Sequence, residues 1–482
     1  MRSEMYQEAK RSAVQWIEDN KQRLIEVSDA IWGYAELGFV EFRSSKLLAD
    51  ELEAHGFDVK RGVAGIPTAF VATWGKGKPI IGVMGEYDAL PGISQKAVSH
   101  KEPIVEGAPG HGCGHNIHGT SGMGGAIAAK AAMEEAGIPG TIKFYGCPAE
   151  EMLSGKVWMV REGVFEGVDA VLSHHPSQFN YASLSSSNAN NAAKFHFYGK
   201  TSHAAGSPEQ GRSALDAVEL MNVGVNYLRE HVIQDARFHY VTERAGGQPN
   251  VVPGYARSWY LIRAPERDQL DRIYDRIIKI AKGAEMMTET RLEVEFVKGI
   301  YNKVPNRVLS ELVTANMREI GTPEHTDEEL EFANEIAGSY SDDAKLNSLR
   351  KSKRPDWREL VDVDLDRTIP DAWNEGEVSA GSTDVSDVSW HAPTMEFNTS
   401  AFAIGTPGHS WQNAAFSGMS IGHKSLIFAA KVIATSALDL LTQPEILRAA
   451  QGELKERLGG RTYKTPVPPE TKPPLDQWTE KP

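Results

Sequence analysis

Cysteine is nearly absent: the chain of 482 residues has two, Cys113 and Cys147. Two thiols cannot build a disulfide framework, and so sparse a pair fits a reducing, cytoplasmic compartment. Surplus positive charge is also missing. There are 51 Lys and Arg against 65 Asp and Glu, a formal net charge of −14. Nothing stands ready to displace counterions from a phosphate backbone, so no nucleic-acid partner is expected. No uncharged apolar run reaches the roughly 18 residues of a spanning helix. The best candidate, 425–441, is cut by Lys431 and Asp439. The first 20 residues mix charges and carry no apolar stretch of the secretory kind. No membrane partner is expected, and no internal repeat occurs.

What is present is ordinary globular material. Hydrophobic residues make up 41% and glycines number 44, enough for a large core. The length suggests about two or three domains. Ala9, Ala13, Ile17, Leu24, Val27 and Ile31 recur at helical spacing. A second helix is expected over 44–55, ended by Gly56, and a closely packed Ala/Gly helix over 120–136. Short apolar runs at 69–74, 79–85, 141–146 and 168–173, bounded by Gly or Pro, read as strands. Strands alternating with helices predict an α/β layer with a mostly parallel sheet and helices on both faces. Residues 181–192 read as a linker or exposed loop. A β-α-β-β-α-β order comes next, ending near 298, and predicts a ferredoxin-like α+β insertion. The expected division is a discontinuous catalytic domain, 1–186 and 304–482, around a lid and dimerisation domain, 187–303. Residues 322–380 read as surface helices and loops. A strand at 395–404 and a helix at 425–441 complete the pattern. The last 22 residues hold six prolines and should wrap the surface in extended form.

The chemistry lies in the residues just beyond each sheet strand. Glu86 and Asp88 come after the strand at 79–85. Cys113 and His115 precede the Ala/Gly helix. Glu150 and Glu151 come after 141–146, His174 and His175 after 168–173, and His409 after 395–404. Ligands bind beyond the carboxyl ends of parallel strands, so these segments deliver thiol, imidazole and carboxylate to one sheet edge. That donor mix suits Zn or Mn. It exceeds what one tetrahedral ion needs, so two cations are expected. Of the adjacent glutamates, one binds metal and the other stays free as general base. The bland alternatives are a solvated helix start for Glu150–Glu151 and plain backbone hydrogen bonding for His174–His175. A thiol hydrolase using Cys113 as nucleophile is a further alternative.

The strings GEYDALPG, GHGCGHNIHGT, GCPAEE, SHHP, KTSHAAGSPEQGRSALDA, PNVVP, STDVSDVSW and GTPGHSWQ together resemble the M20 family of metallopeptidases and amidohydrolases. Within it they are most similar to the B-type subunits of the p-aminobenzoyl-glutamate hydrolase group. The resemblance spans residues 6–435. It implies Cys113, His115, Glu151, His175 and His409 as ligands to two divalent cations, Zn or Mn, with Glu150 as catalytic base. It implies His203 as a lid residue that reaches the substrate carbonyl, and Asn250 as a lid residue near the substrate. Many family members have a metal-binding His where Glu86 stands, so Asp88 more naturally orients a neighbouring ligand. Asn116 stands where much of the amidohydrolase branch has Asp. His111 is a candidate second-layer partner, and His118 and His174 are spare imidazoles. Asp384 and Asp387 read as a site wall or as helix caps.

The implied activity is hydrolysis of the amide of an N-acyl amino acid, p-aminobenzoyl-glutamate-like in kind. A dipeptidase, an aromatic-amide amidase and a non-catalytic binding homologue are the alternatives. Arg212 and Arg263 are candidate forks for a substrate carboxylate, or else surface ion pairs. Trp390 and Trp411 are candidate stacking partners for an aromatic acyl group, or else core. The expected assembly is a homodimer through the lid, with a related second subunit as the other possibility.

Overall fold

The computed structural model describes residues 2–152, 154–476 and 478. Among the described residues thirteen strands run in chain order: β1 (Asp58–Arg61), β2 (Phe70–Lys76), β3 (Ile80–Glu86), β4 (Gly140–Cys147), β5 (Ala170–Ser177), β6 (Tyr181–Ala182), β7 (Ser186–Ser187), β8 (Ala189–Tyr198), β9 (Arg237–Arg244), β10 (Tyr255–Ala264), β11 (Arg291–Ile300), β12 (Val378–Ser379) and β13 (Thr394–Ser400). Seven form one sheet in the order β1-β2-β4-β3-β5-β13-β6. Its centre, β4-β3-β5-β13, is parallel, and antiparallel strands close both sides. β3, β4 and the first half of β5 are largely apolar because both faces are covered.

One face carries the helices Arg2–Tyr34, His115–Ala136 and Ser420–Thr442, which pack on one another and on the sheet. Glycine makes the close packing possible. A Cβ on Gly119 would lie 2.5 Å from the Glu86 carbonyl oxygen, and one on Gly125 2.6 Å from Ile433. The other face is covered by Gly155–Arg161 and Val385–Ser389. Among the described residues, Ser420–Thr442 is long and apolar enough to cross a membrane by length and composition alone. Most of it is buried inside the protein. Its Lys431 pairs with Glu18 and its Asp439 with Lys10.

The second sheet is antiparallel, ordered β11-β8-β10-β9. Helices Ala214–Leu228 and Arg267–Thr288 cover one face of it. The chain order β-α-β-β-α-β is the ferredoxin-like one expected. The fold class is therefore α/β with a separate α+β unit.

Three expectations are corrected. Residues 181–192 are not a loop: they hold β6, β7 and the start of β8, and Ala189, Asn190 and Asn191 are buried. Small residues there reflect a central strand squeezed between β10 and β11, not exposure. The segment 322–380 is not all surface. Arg354 is fully buried, held by Asp356 and Asp366, because paired charges can enter a core that lone ones cannot. The last strand ends at Ser400 rather than 404. A helix at Pro444–Leu458, opened by its proline, was not anticipated. Of the proline-rich end, Tyr463 donates to Asp387 (2.8 Å) and Trp478 to the Gly38 carbonyl (2.8 Å). The expected wrapping of 477 and 479–482 lies outside the described residues.

Candidate active site and metal centre

The parallel strands deliver their polar residues as the sequence pattern requires. β3 ends on Glu86, with Asp88 two residues beyond. β5 carries His174 and His175 inside the strand rather than after it. Glu150 and Glu151 lie in the turn after β4, and His409 precedes the helix Trp411–Ser417. The Ala/Gly helix starts at His115, not Thr120, so Cys113 and His115 flank its N-terminus. Gly114 between them has φ +77°, and a Cβ there would meet Pro176 at 3.0 Å. Only glycine allows the Cys-Gly-His turn.

Imidazole orientation is set from behind. The Nδ1–H of His115 donates to Asp88 Oδ1 (2.8 Å), and that of His175 to the Pro176 carbonyl (2.8 Å). Each ring therefore turns its Nε2 inward. Cys113 Sγ lies 3.4 Å from His175 Nε2. His409 Nε2 lies 3.4 Å from Glu151 Oε2, with His409 held at a left-handed φ of +53°. Asp88 ties the set together, since its Oδ2 also accepts from the Glu151 amide (2.9 Å). Among the described residues four donor groups are each compact enough for one cation: Cys113–His115–His175 and Cys113–Glu151–His409, which share Cys113, and Glu86–His115–Glu150 and Glu86–His118–Glu396, which share Glu86. His115 Nε2 and Glu151 Oε1 are buried without a hydrogen-bond partner among the described residues. Sulfur, nitrogen and oxygen donors, two of them orphaned, fit a divalent transition metal.

Electrostatics say the same. Burial, with Glu151 adding to it, pushes the Cys113 thiol far above its ordinary value. Burial raises Glu151 to about 7 against the pull of His115. Burial opposes a charge on His115, but Asp88 and Cys113 hold its pKa well above the usual imidazole range. These groups hold protons that a cation must expel. Adding Zn or Mn to the metal-free protein should therefore release protons. Calorimetric heats of metal binding in two buffers of different ionisation enthalpy should differ accordingly. Equal heats would remove Cys113 and Glu151 as protonated ligands.

Several residues play structural parts. His111 faces the Ile31 carbonyl (3.0 Å), and His174 lies between Ser121 and Thr399. His118 accepts from the Glu86 amide (2.9 Å) and faces Ser173. Asn116 donates to Ser28 and to the Ser417 carbonyl. Trp390 donates to the Asn302 carbonyl and packs on Tyr301. Asp384 is fully buried against Lys156, which reaches Glu86 at 2.6 Å. Lys156 was missed in the sequence: a lysine in an apolar helix gives no pattern of its own. Glu41 was missed too. It accepts from the Ala149 amide (2.8 Å) and from Thr68, steadying the strained residue before Glu150.

A cavity of about 600 Å³ opens over the donor groups. Cys113, Glu150, Glu151, His175 and His409 line one side, and Leu261, Arg263 and Lys298 of the small unit another. Of the expected substrate residues only Arg263 lines it. Arg212 pairs with Glu289 at 3.0 Å elsewhere on the small unit. His203 and Asn250 are exposed beside each other, joined by the Ala204 amide and the Asn250 carbonyl, and neither lines the cavity.

A sequence model of peptidase family M20/M25/M40 matches residues 82–438. The chain belongs to this family. Among curated relatives, the B-type subunit of p-aminobenzoyl-glutamate hydrolase from Escherichia coli K12 is 43% identical over 95% of this chain and 97% of its own length. The Xaa-Arg dipeptidase of mouse is 29% identical over 93% of each. Among solved structures, an aminohydrolase of methicillin-resistant Staphylococcus aureus superposes with a TM-score of 0.65 at 18% identity, covering 90% of this chain and all of that one. A dinuclear metal binding peptidase from the M20 family of Bacillus subtilis superposes with a TM-score of 0.56 at 17% identity, covering 88% and 99%. The M20 fold and its metallohydrolase chemistry thus belong to this chain, which is an amidohydrolase.

Proposed function

We propose that this M20 enzyme hydrolyses the amide of an N-acyl amino acid whose leaving part is anionic, of the aminobenzoyl-glutamate kind. The observation that carries the reaction type is the pair of donor groups sharing Cys113, with Glu150 beside them and outside both. Cys113, His115, Glu151, His175 and His409 would hold two cations, Zn or Mn. When bound, such cations polarise a carbonyl and acidify water. Glu150 takes the proton of the attacking water and passes it to the leaving amine. Asp88 holds His115 and the Glu151 turn in place. A Cys113 nucleophile is disfavoured, because burial keeps the thiol protonated.

His203 supplies a donor to the developing oxyanion, brought in from a second copy of the chain or through closure of the small unit, 187–303. Exposed Val223, Tyr227, Val241, Met286 and Met287 on that unit support a homodimer there. The bacterial relative is named as one subunit of an enzyme, which makes a related second subunit the other assembly to test. The free thiols suit a cytoplasmic setting.

The two curated relatives differ in the leaving residue their names imply, glutamate or arginine. The side of the cavity formed by the small unit favours the anion, since Glu150 and Glu151 lie on the opposite side with the metal donors. Arg263, Lys298 and Lys303 line it, and Glu396 answers Lys303 at 3.6 Å. The test is a hydrolysis panel on metal-reconstituted protein: aminobenzoyl-glutamate, N-acetyl and aromatic N-acyl amino acids, and dipeptides ending in arginine. Acyl-glutamates should exceed arginine substrates in kcat/KM by at least about tenfold, the worth of one charge-assisted contact. Preference for arginine would overturn the substrate assignment.

A further inference from the structure

Three neighbouring strands of the large sheet present one row to the cavity. Asn398 on β13 lies opposite His175 on β5 and opposite Tyr181 on β6. Directly opposed residues of paired strands share a face, and all three line the cavity. The row therefore starts at a metal donor and runs to the edge of the sheet. Strands lie about 4.8 Å apart, so its far end stands roughly 10 Å from the backbone of His175. Glu396 precedes Asn398 by two residues and so faces the same way. It also lines the cavity, as do Ser183 and Ser185 just beyond β6.

This wall is polar and short of partners. Among the described residues Leu261, on the small unit, is the only aliphatic side chain that lines the cavity. The Asn398 amide donates to the His175 carbonyl (3.2 Å), which fixes the side chain and leaves its Oδ1 as an acceptor. The Glu396 side chain is 12% exposed and accepts no hydrogen bond among the described residues. Lys303 stands 3.6 Å away, near enough to answer its charge but too far to hydrogen-bond it. Tyr181 rests on Trp373, and its phenol stays protonated because burial, and after it Glu396, raises it to about 12.

A carboxylate so far removed from water stays costly until a donor meets it. Two acceptors two residues apart on one strand suit an N–H group. The charge of that group is decided by its neighbours. Lys303 already balances Glu396, so an ammonium would be a surplus cation there, whereas a neutral N–H donor needs only the open lone pairs. With the leaving part assigned to the small-unit side, this wall falls to the acyl part. A metal ion is the rival occupant, since Glu86, His118 and Glu396 are close enough together for one. Lys156, 2.6 Å from Glu86, already supplies a cation to that group.

We propose that Glu396 and Asn398, with the Tyr181 hydroxyl in the same row, form the acyl subsite and select acyl groups that end in a neutral N–H donor, such as an aryl amine. This rests on the amidohydrolase reading above. An unsubstituted benzoyl group leaves the acceptors unmet, and a terminal ammonium faces Lys303.

Binding is measured first, without turnover. Benzoate, p-aminobenzoate and p-(aminomethyl)benzoate are titrated into the metal-loaded protein, so that only the para group differs. The wild type should bind p-aminobenzoate at least about tenfold more tightly than either of the others. In Glu396→Met and Asn398→Leu, each checked for unchanged melting temperature and metal content, the preference over benzoate should collapse while benzoate itself binds as before. Lys303→Met should shift the preference toward the ammonium ligand, which a merely structural role for the ion pair would not do. Hydrolysis of the three corresponding acyl-glutamates should follow the same order in kcat/KM. Equal wild-type affinities for p-aminobenzoate and benzoate would overturn the subsite, as would folded variants that keep the wild-type ratio. A third cation per chain, lost in Glu396→Met, would give that carboxylate to a metal and overturn it too. The binding preference in a protein that cleaves no acyl amino acid would leave the subsite standing and overturn the amidohydrolase reading.

Discussion

Glu150→Gln should lower kcat by about a thousandfold, within the 10²–10⁴ range of general acid–base catalysis, while bound metal stays at the wild-type level. The amide is nearly isosteric with the carboxylate but cannot accept or return a proton. Glu150 is 8% exposed, and its Oε2 lies 4.0 Å from His115 Nε2, close to the donor groups yet outside those built on Cys113. Burial, reinforced by the Glu86 charge, raises its pKa well above the ordinary carboxylate value. A base so placed keeps its captured proton near neutral pH, long enough to deliver it to the amine. The acidic limb of the kcat/KM profile should accordingly lie nearer neutrality than a free glutamate would put it. Metal analysis together with steady-state kinetics tests this. Near-normal turnover, or loss of metal along with activity, would end the general-base assignment.

The donor cluster was legible because strand ends are predictable. Apolar runs mark β3, β4 and β5, the return of the chain at 395–404 marks β13, and parallel packing sends their carboxyl ends to one edge. Strand ends alone bring these residues to one edge; the choice of His175 over His174 and of Glu151 over Glu150 came from the motif strings. Asp88 was legible as an orienting group because a carboxylate behind an imidazole has few other uses. Residues that depend on events between elements were not legible. Lys298 reaches the cavity through a one-residue register shift, and alternation along 291–298 points it the wrong way. Arg354 sits in a charge-dense segment that reads as solvated, yet its partners Asp356 and Asp366 carry it inside. Asn190 lies in a run of small polar residues that resembles a linker, and its central place appears only once β10 and β11 pair on either side. Asn250 and His203 could be named from motif strings, but neither lines the cavity, and local sequence does not encode how far an exposed loop stands from it.

Lys156→Met should cost about 3–5 kcal/mol of stability at neutral pH, the usual penalty for removing one partner from a buried ion pair. Lys156 is fully buried. Its ammonium lies 2.6 Å from Glu86 and 2.5 Å from Asp384, and its backbone amide donates to Asp384 at 2.8 Å. Burial opposes that charge, but Asp384 and Glu86 together hold the lysine pKa well above its ordinary value. Removing the ammonium strands two carboxylates in the interior. Among the described residues Glu86 keeps histidine neighbours, His115 at 3.3 Å and His118 at 3.5 Å. In the variant both acids should have folded-state pKa values above their unfolded ones. The penalty is then present above the unfolded carboxylate range and fades as pH falls through the raised folded values. Denaturant unfolding should show the deficit shrinking from about pH 8 to about pH 5. Adding Glu86→Gln and Asp384→Asn to the variant should recover most of the loss at neutral pH, because no charge then remains to be buried. A deficit below about 1 kcal/mol, the scale of an exposed pair, would mean that water already reaches the cluster and that its charges are not what fixes β3 against Val385–Ser389.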